Sequence, residues 1–191
     1  MVVIVYFFRR RRMYINYISR SVSLLNMKNP LLLFAVLLFF ASCSTKQSPK
    51  TIYIVRHAEK QLEGSDPELA QSGQLRAKKL AQILSDKNIK HIYSTDYIRT
   101  RSTAAPTANA AGLTIEIYDP KNHDTLVEQI RNQEGNVLVV GHSNTVNQVA
   151  NYFVGDGEKY DDLTDLEYDY IFEVTLEGKS STVMRRIYKD F

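Results

Sequence analysis

Short apolar runs alternate with longer amphipathic segments from Thr51 to Ile187. Thr51–Val55 is a run of strand-forming residues that stops at Arg56-His57. Gly64-Ser-Asp-Pro67 predicts a turn, and 68–85 predicts a helix. That helix places Leu75, Leu80, Ile83 and Leu84 broadly on one face, with Arg76, Lys78 and Lys79 largely elsewhere. His91–Ser94 reads as a second strand. Residues 97–111 read as a helix in which Pro106 favours a break or kink and which Gly112 could end. Leu113–Tyr118 predicts a strand, 125–131 a helix, Val137–Val140 a strand and 145–153 a helix. Tyr170–Leu176 and Thr182–Ile187 alternate like a closing hairpin. Strands alternating with helices predict an α/β fold of three layers, α/β/α, around a mostly parallel sheet. Residues 155–169 contain seven acids and one lysine and read as a solvated loop.

Upstream of this pattern lies one longer apolar run. Lys28 precedes Leu31–Phe40, and the small residues Ala41 and Ser42 follow. Ten residues rise about 15 Å as a helix, roughly half a bilayer core, so the run predicts a secretory signal rather than a stable span. Phe40-Ala-Ser-Cys43 resembles a bacterial lipobox, with Phe40 where leucine is usual. That resemblance implies cleavage before Cys43 and a lipid on its thiol. A plain signal peptide and an uncleaved anchor are the alternatives. The expected organisation is a mis-called upstream extension at 1–26, a start at Met27, and a signal peptide at 27–42. A lipidated tether at 43–50 and a catalytic domain at 51–191 complete it.

Charge supports this division. The 191 residues hold 24 Lys and Arg against 21 Asp and Glu, a formal +3. Six of the cations and none of the acids lie in 1–42, so the remainder has 18 basic and 21 acidic residues. The basic balance therefore implies no nucleic-acid partner. Cys43 is the single cysteine, which excludes an internal disulfide and a Cys-rich zinc site.

The chemistry lies at strand ends. A parallel strand that ends in Arg56-His57 places a cation and an imidazole at the carboxyl edge of the sheet, where open α/β folds bind ligands. Arginine beside a potential nucleophile suits work on a phosphoryl group. Asn136-Val-Leu-Val-Val-Gly-His142 is a second strand that ends in histidine. Taken singly, Arg56-His57 could be a surface pair, Arg99 an exposed helix cation, and His142 a neighbour of a helix cap. No metal site and no cofactor is expected. His91 and His123 read as structural or solvated.

Four ordered segments resemble the histidine phosphatase superfamily, also called the phosphoglycerate mutase-like family. They are Arg56-His57-Ala58-Glu59, Asp66 to Gly73 with Ala70 in place of threonine, Ser94 to Thr103 around Arg99, and Gly141 to Thr145 around His142. The resemblance covers nearly all of 51–188 and implies a phosphoglycerate mutase-like fold. It also implies a phosphohistidine intermediate on His57. Arg56 and Arg99 would clamp the phosphoryl oxygens, His142 would complete the pocket, and Asn144 would help bind substrate. A charge pair near 4 Å is worth about 4 kcal/mol at an effective dielectric near 20. The other ring nitrogen of His57 needs an acceptor, for which a backbone carbonyl is expected.

The general acid is the open point. Asp119 is the first candidate and Asp124 the second, although Asp119-Pro120 also reads as a turn. Glu59 is a further candidate that could instead order its loop. The expected function is phosphomonoester hydrolysis, with a phosphorylated small molecule or phosphoprotein as substrate. The expected location is the bacterial cell envelope, lipid-anchored and facing the periplasm or exterior. A phosphoglycerate mutase and a phosphate-ester-binding lipoprotein without turnover are the alternatives.

Overall fold

Six strands form one sheet in the computed structural model, which describes residues 48–191. The segments expected to be an upstream extension and a signal peptide, Cys43 and most of the expected tether lie outside the described residues. The strands are β1 (Lys50–Arg56), β2 (Ile89–Ser94), β3 (Ile115–Ile117), β4 (Asn136–Gly141), β5 (Tyr170–Glu177) and β6 (Ser180–Ile187), in the order β3-β2-β4-β1-β5-β6. β1, β2, β3 and β4 pair in parallel. β5 and β6 add an antiparallel edge. The helices are α1 (Gln71–Leu84), α2 (Ile98–Ala111), α3 (His123–Asn132) and α4 (Val146–Asn151).

Strand alternation builds two cores. Ile52, Ile54, Val137, Val139, Phe172 and Val174 face α3 and α4, burying Leu126, Ile130, Val149 and Phe153. Tyr53, Val55, Leu138, Val140 and Ile171 face α1 and α2, burying Leu80, Leu84, Ala104 and Ala108. This is the expected three-layer α/β/α arrangement. β1 is followed by α1 on one face, and its neighbour β4 by α4 on the other. That reversal opens a crevice at the carboxyl ends of β1 and β4, the topological switch point of the sheet.

Several elements differ from the sequence expectation. α1 starts at Gln71 rather than Glu68 because Leu69 is drawn into an isolated bridge with Lys60. Its buried stripe is Gly73, Ala77, Leu80 and Leu84, at helical spacing, which leaves Leu75 off the stripe and 61% exposed. A Cβ on Gly73 would collide with the Glu59 carbonyl oxygen, so α1 can approach the loop after β1 only with glycine there. α2 runs unbroken through Pro106, tolerating the missing donor because its Thr100, Thr103, Ala104, Thr107 and Ala108 face is packed. Gly112 ends α2 at φ 66°, and the Gly112 and Leu113 amides cover the last carbonyls. β3 keeps three residues of the expected six, and α4 keeps Val146–Asn151. The hairpin forms around Gly178 at φ 60°.

Candidate active site

β1 delivers Arg56 and His57 to the crevice, and both are 4% exposed. The His57 amide donates to the Gly141 carbonyl at 2.8 Å, locking the β1 end to the β4 end. Ala58 N–H donates to Thr103 Oγ1, and that hydroxyl donates to the Arg99 carbonyl, so the loop after β1 is tied to α2. The His57 and His142 rings meet edge-on with centroids 5.5 Å apart. Arg99 Nη2 is 3.5 Å from His142 Nδ1. Arg56, His57, Arg99 and His142 are thus brought together.

His57 Nδ1 lies 2.8 Å from the Ala58 carbonyl oxygen. A carbonyl only accepts, so Nδ1 carries the proton and Nε2 keeps its lone pair. Burial is the main force that pushes His57 down to about 3; Arg56, Arg99 and His142 add to it, and the Ala58 bond opposes it. His142 is pushed down to about 4 by burial, then by Arg99 and Arg56, against the pull of Asp66. Both rings are therefore neutral near pH 7.

His142 has its own relay. Nε2 lies 2.9 Å from Thr95 Oγ1, which lies 3.1 Å from Thr100 Oγ1. Thr100 in turn donates to the Thr95 and Tyr97 carbonyls. Arg99 can only donate, so Nε2 holds the His142 proton and passes it toward Thr95. Thr145 Oγ1 accepts the His142 amide at 2.9 Å.

The two arginines are held differently. Arg99 Nη1 pairs with Asp66 at 3.2 Å, and the same carboxylate accepts the Ile98 amide at the start of α2. Arg99 also lies over the Tyr97 ring at 4.4 Å. Arg56 Nη1 donates to the Thr164 and Glu167 carbonyls, at 2.7 and 3.3 Å. Its guanidinium lies 4.1 Å from the centre of the Tyr168 ring. Among the described residues, the Nε–H of each arginine is buried with no partner. Two buried cationic donors pointing at no acceptor fit an anion.

The remaining candidates fall outside this cluster. Asp119 is exposed, and its carboxylate accepts the Lys121 amide at 2.9 Å. Asp124 accepts the Tyr152 hydroxyl at 2.6 Å. Asn144 is exposed, and its carbonyl accepts Gln148. Glu59 is gripped by Arg76 Nε and Nη2 at 2.7–3.1 Å. Burial acts to raise the Glu59 carboxyl, but the Arg76 hydrogen bonds, its own amide and the nearby arginine charges together hold it below the usual carboxylate range. Among the described residues no three His, Cys, Asp or Glu side chains are arranged to hold a metal ion.

Asp66, Thr95, Tyr97, Thr145 and Tyr168 carry site contacts that the sequence reading did not assign. Asp66, Thr95, Tyr97 and Thr145 lie inside the quoted segments, so their positions were available and their contacts were not. Tyr168 lies in the acidic stretch read as solvated. That stretch is an exposed loop, as expected, and is pinned at a few points: Leu163 is buried and its amide donates to Ser143, while Asn147 donates to Tyr160 and Asp162. The apolar and aromatic residues among the acids were the available signal.

The family model of the histidine phosphatase superfamily, branch 1, matches residues 52–120. Over these residues the chain is similar to the histidine phosphatase superfamily. Proteins similar to this chain include the probable phosphoglycerate mutase GpmB of Escherichia coli, 29% identical over 132 residues. That alignment covers 60% of this chain and 58% of GpmB, so the chain spans little more than half the length of this relative. Among solved structures, the protein histidine phosphatase SixA complexed with tungstate is similar at TM-score 0.61 and 18% identity, covering 73% of this chain and 98% of SixA. Phosphoglycerate mutase from Bacillus anthracis is similar at TM-score 0.56 and 15% identity, covering 74% and 94%. At these identities the structures establish a shared fold.

Proposed function

We propose that the protein is a phosphomonoester hydrolase that works through a phosphohistidine on His57. The observation that supports this most is the buried His57 imidazole, its Nδ1 held by the Ala58 carbonyl, which meets His142 edge-on beside Arg99, with the Nε–H of Arg56 and of Arg99 unpartnered among the described residues. The phosphoryl group would enter between the guanidinium groups, which neutralise its charge and let an uncharged nucleophile approach. Nε2 forms the N–P bond as the ester P–O bond breaks. Water then attacks phosphorus, the N–P bond breaks, and phosphate leaves. A bound dianion raises the proton affinity of His142, which turns its Nδ1 into a further donor.

The test is release of phosphate from p-nitrophenyl phosphate and a panel of phosphoesters by the domain from Ser44 onward. Wild-type turnover with His57→Ala reduced to background is expected. Inactivity of the wild type across the panel would rule the hydrolase out. A mutase is the second reading, favoured by the name of the GpmB relatives; interconversion of phosphoglycerates without free phosphate would select it. Phosphate affinity without any turnover would select a binding protein. The substrate class proposed is a phosphorylated small molecule or a phosphoprotein, and the name of the SixA relative adds protein phosphohistidine to the panel.

We also propose export by residues 27–42 and lipidation of Cys43, placing the domain in the bacterial cell envelope, facing the periplasm or exterior. The lipobox-like Phe40-Ala-Ser-Cys43 supports it. Radiolabelled palmitate should enter the wild type and not Cys43→Ala, which should move from the membrane to the soluble fraction. Equal labelling of both would remove the anchor.

A further inference from the structure

A phosphoester with an alkoxide leaving group needs a proton donor as its P–O bond breaks. The carboxylates near the crevice are each occupied as acceptors. Arg76 grips Glu59, and Asp66 accepts from Arg99 and the Ile98 amide. Asp119 accepts from Lys121, and Asp124 accepts from Tyr152. Asp165 approaches Arg56 Nη2 at 3.9 Å with its side chain wholly in solvent, as an ion-pair partner.

One side chain with a proton to give touches both the clamp and the nucleophile. The Tyr168 hydroxyl lies 3.4 Å from Arg56 Nη2. Its ring stacks on that guanidinium at 4.1 Å and meets the His57 ring edge-on, with centroids 6.0 Å apart. A phosphoryl oxygen bound by Arg56 lies about 3 Å from the guanidinium, which brings an ester oxygen within reach of a hydroxyl on the same group. The backbone around Tyr168 is fixed by the Thr164 and Glu167 carbonyls that Arg56 itself holds, so the phenol is positioned by the residue that binds the substrate.

We propose that Tyr168 is the proton donor to the leaving oxygen, a role that rests on the hydrolase reading above. As His57 Nε2 bonds to phosphorus and the P–O bond breaks, the phenol proton moves to the departing oxygen, releasing the alcohol. The phenolate is left beside the Arg56 cation. In the second half, water attacks phosphorus and gives its proton to the phenolate, the N–P bond breaks, and Tyr168 and His57 return to their starting states.

Tyr168→Phe keeps the ring and removes only the donor. It should slow hydrolysis of an alkyl phosphomonoester such as glycerol 2-phosphate by about 100-fold or more. Turnover of p-nitrophenyl phosphate, whose leaving group departs as a stable anion, should change less than about threefold, as should orthovanadate affinity. Asp165→Asn is the competing variant and should spare both esters. Equal slowing on both esters, no slowing on either, or a selective alkyl-ester defect in Asp165→Asn would overturn the role of Tyr168 while leaving the hydrolase intact. So would a wild type that turns over only the aryl ester. A wild type inactive on both would remove the hydrolase reading itself.

Discussion

Asp66 joins two functions in one carboxylate. It accepts the Ile98 amide, the first of α2, and it pairs with Arg99 one residue later. The helix start and the clamp are therefore set by the same side chain. Asp66→Ala should lower stability by about 1 kcal/mol, as loss of a helix cap does, and lower kcat/KM about tenfold or more as Arg99 loses its hold. Asp66→Asn keeps an acceptor oxygen for the amide but loses the charge. It should recover most of the stability and little of the kcat/KM, as read by urea melts beside steady-state kinetics. If stability and kcat/KM recover together, Asp66 is only a cap. Thr95 acts on His142 in a comparable way: the hydroxyl chain through Thr100 ends on backbone carbonyls, so it gives the imidazole one tautomer and one orientation. Such roles are difficult to read from a chain, because Asp66 and Arg99 are distant in sequence and meet only when α2 packs.

Among the elements, the parallel strands were the most legible. β1 and β4 in particular are short apolar runs that end in Arg56 and Gly141, and buried strands carry that signal on both faces. The residues that end β1 and β4 followed directly, which is why Arg56, His57 and His142 could be named from the chain alone. Leu75 and Pro106 show where the signal fails. Leu75 is apolar by type but off the packed stripe by helical geometry, and Pro106 is tolerated because packing outweighs one missing hydrogen bond. The 155–169 segment is the exposed loop that its acidic composition implies, and what the composition did not show is that Asn147, Ser143 and Arg56 hold it at a few points. Lys50 is the clearest tertiary effect. It opens β1 at 2% exposure, and its ammonium donates to the Ile130, Arg131 and Gln133 carbonyls at the end of α3. Lys50→Met keeps the stem and strands those carbonyls, so a loss of about 1–3 kcal/mol is expected in chemical denaturation. A change below 0.5 kcal/mol would mean that water satisfies them equally well.

At the scale of the whole molecule, the buried imidazoles set the acid limit. His57 near 3 and His142 near 4 both lie below the 6.5 of an unfolded imidazole. The unfolded chain therefore binds protons first as pH falls, and stability present above pH 6.5 drains away down to about 4 and then 3. Glu59, also held low, adds to the loss only at more acid pH. The interval from pH 6.5 to 5 thus belongs to histidine. The melting temperature should fall across it, and His142→Gln should flatten the slope. A wild-type curve level from pH 7 to 5 would contradict the burial of these rings.

β1 also gives the molecule two poles. Lys50 begins it and Arg56 ends it, and a strand of seven residues spans about 20 Å. The chain enters the fold at one pole and the anion pocket opens at the other. A domain moored through the residues before Lys50 would hold its pocket outward like a cup.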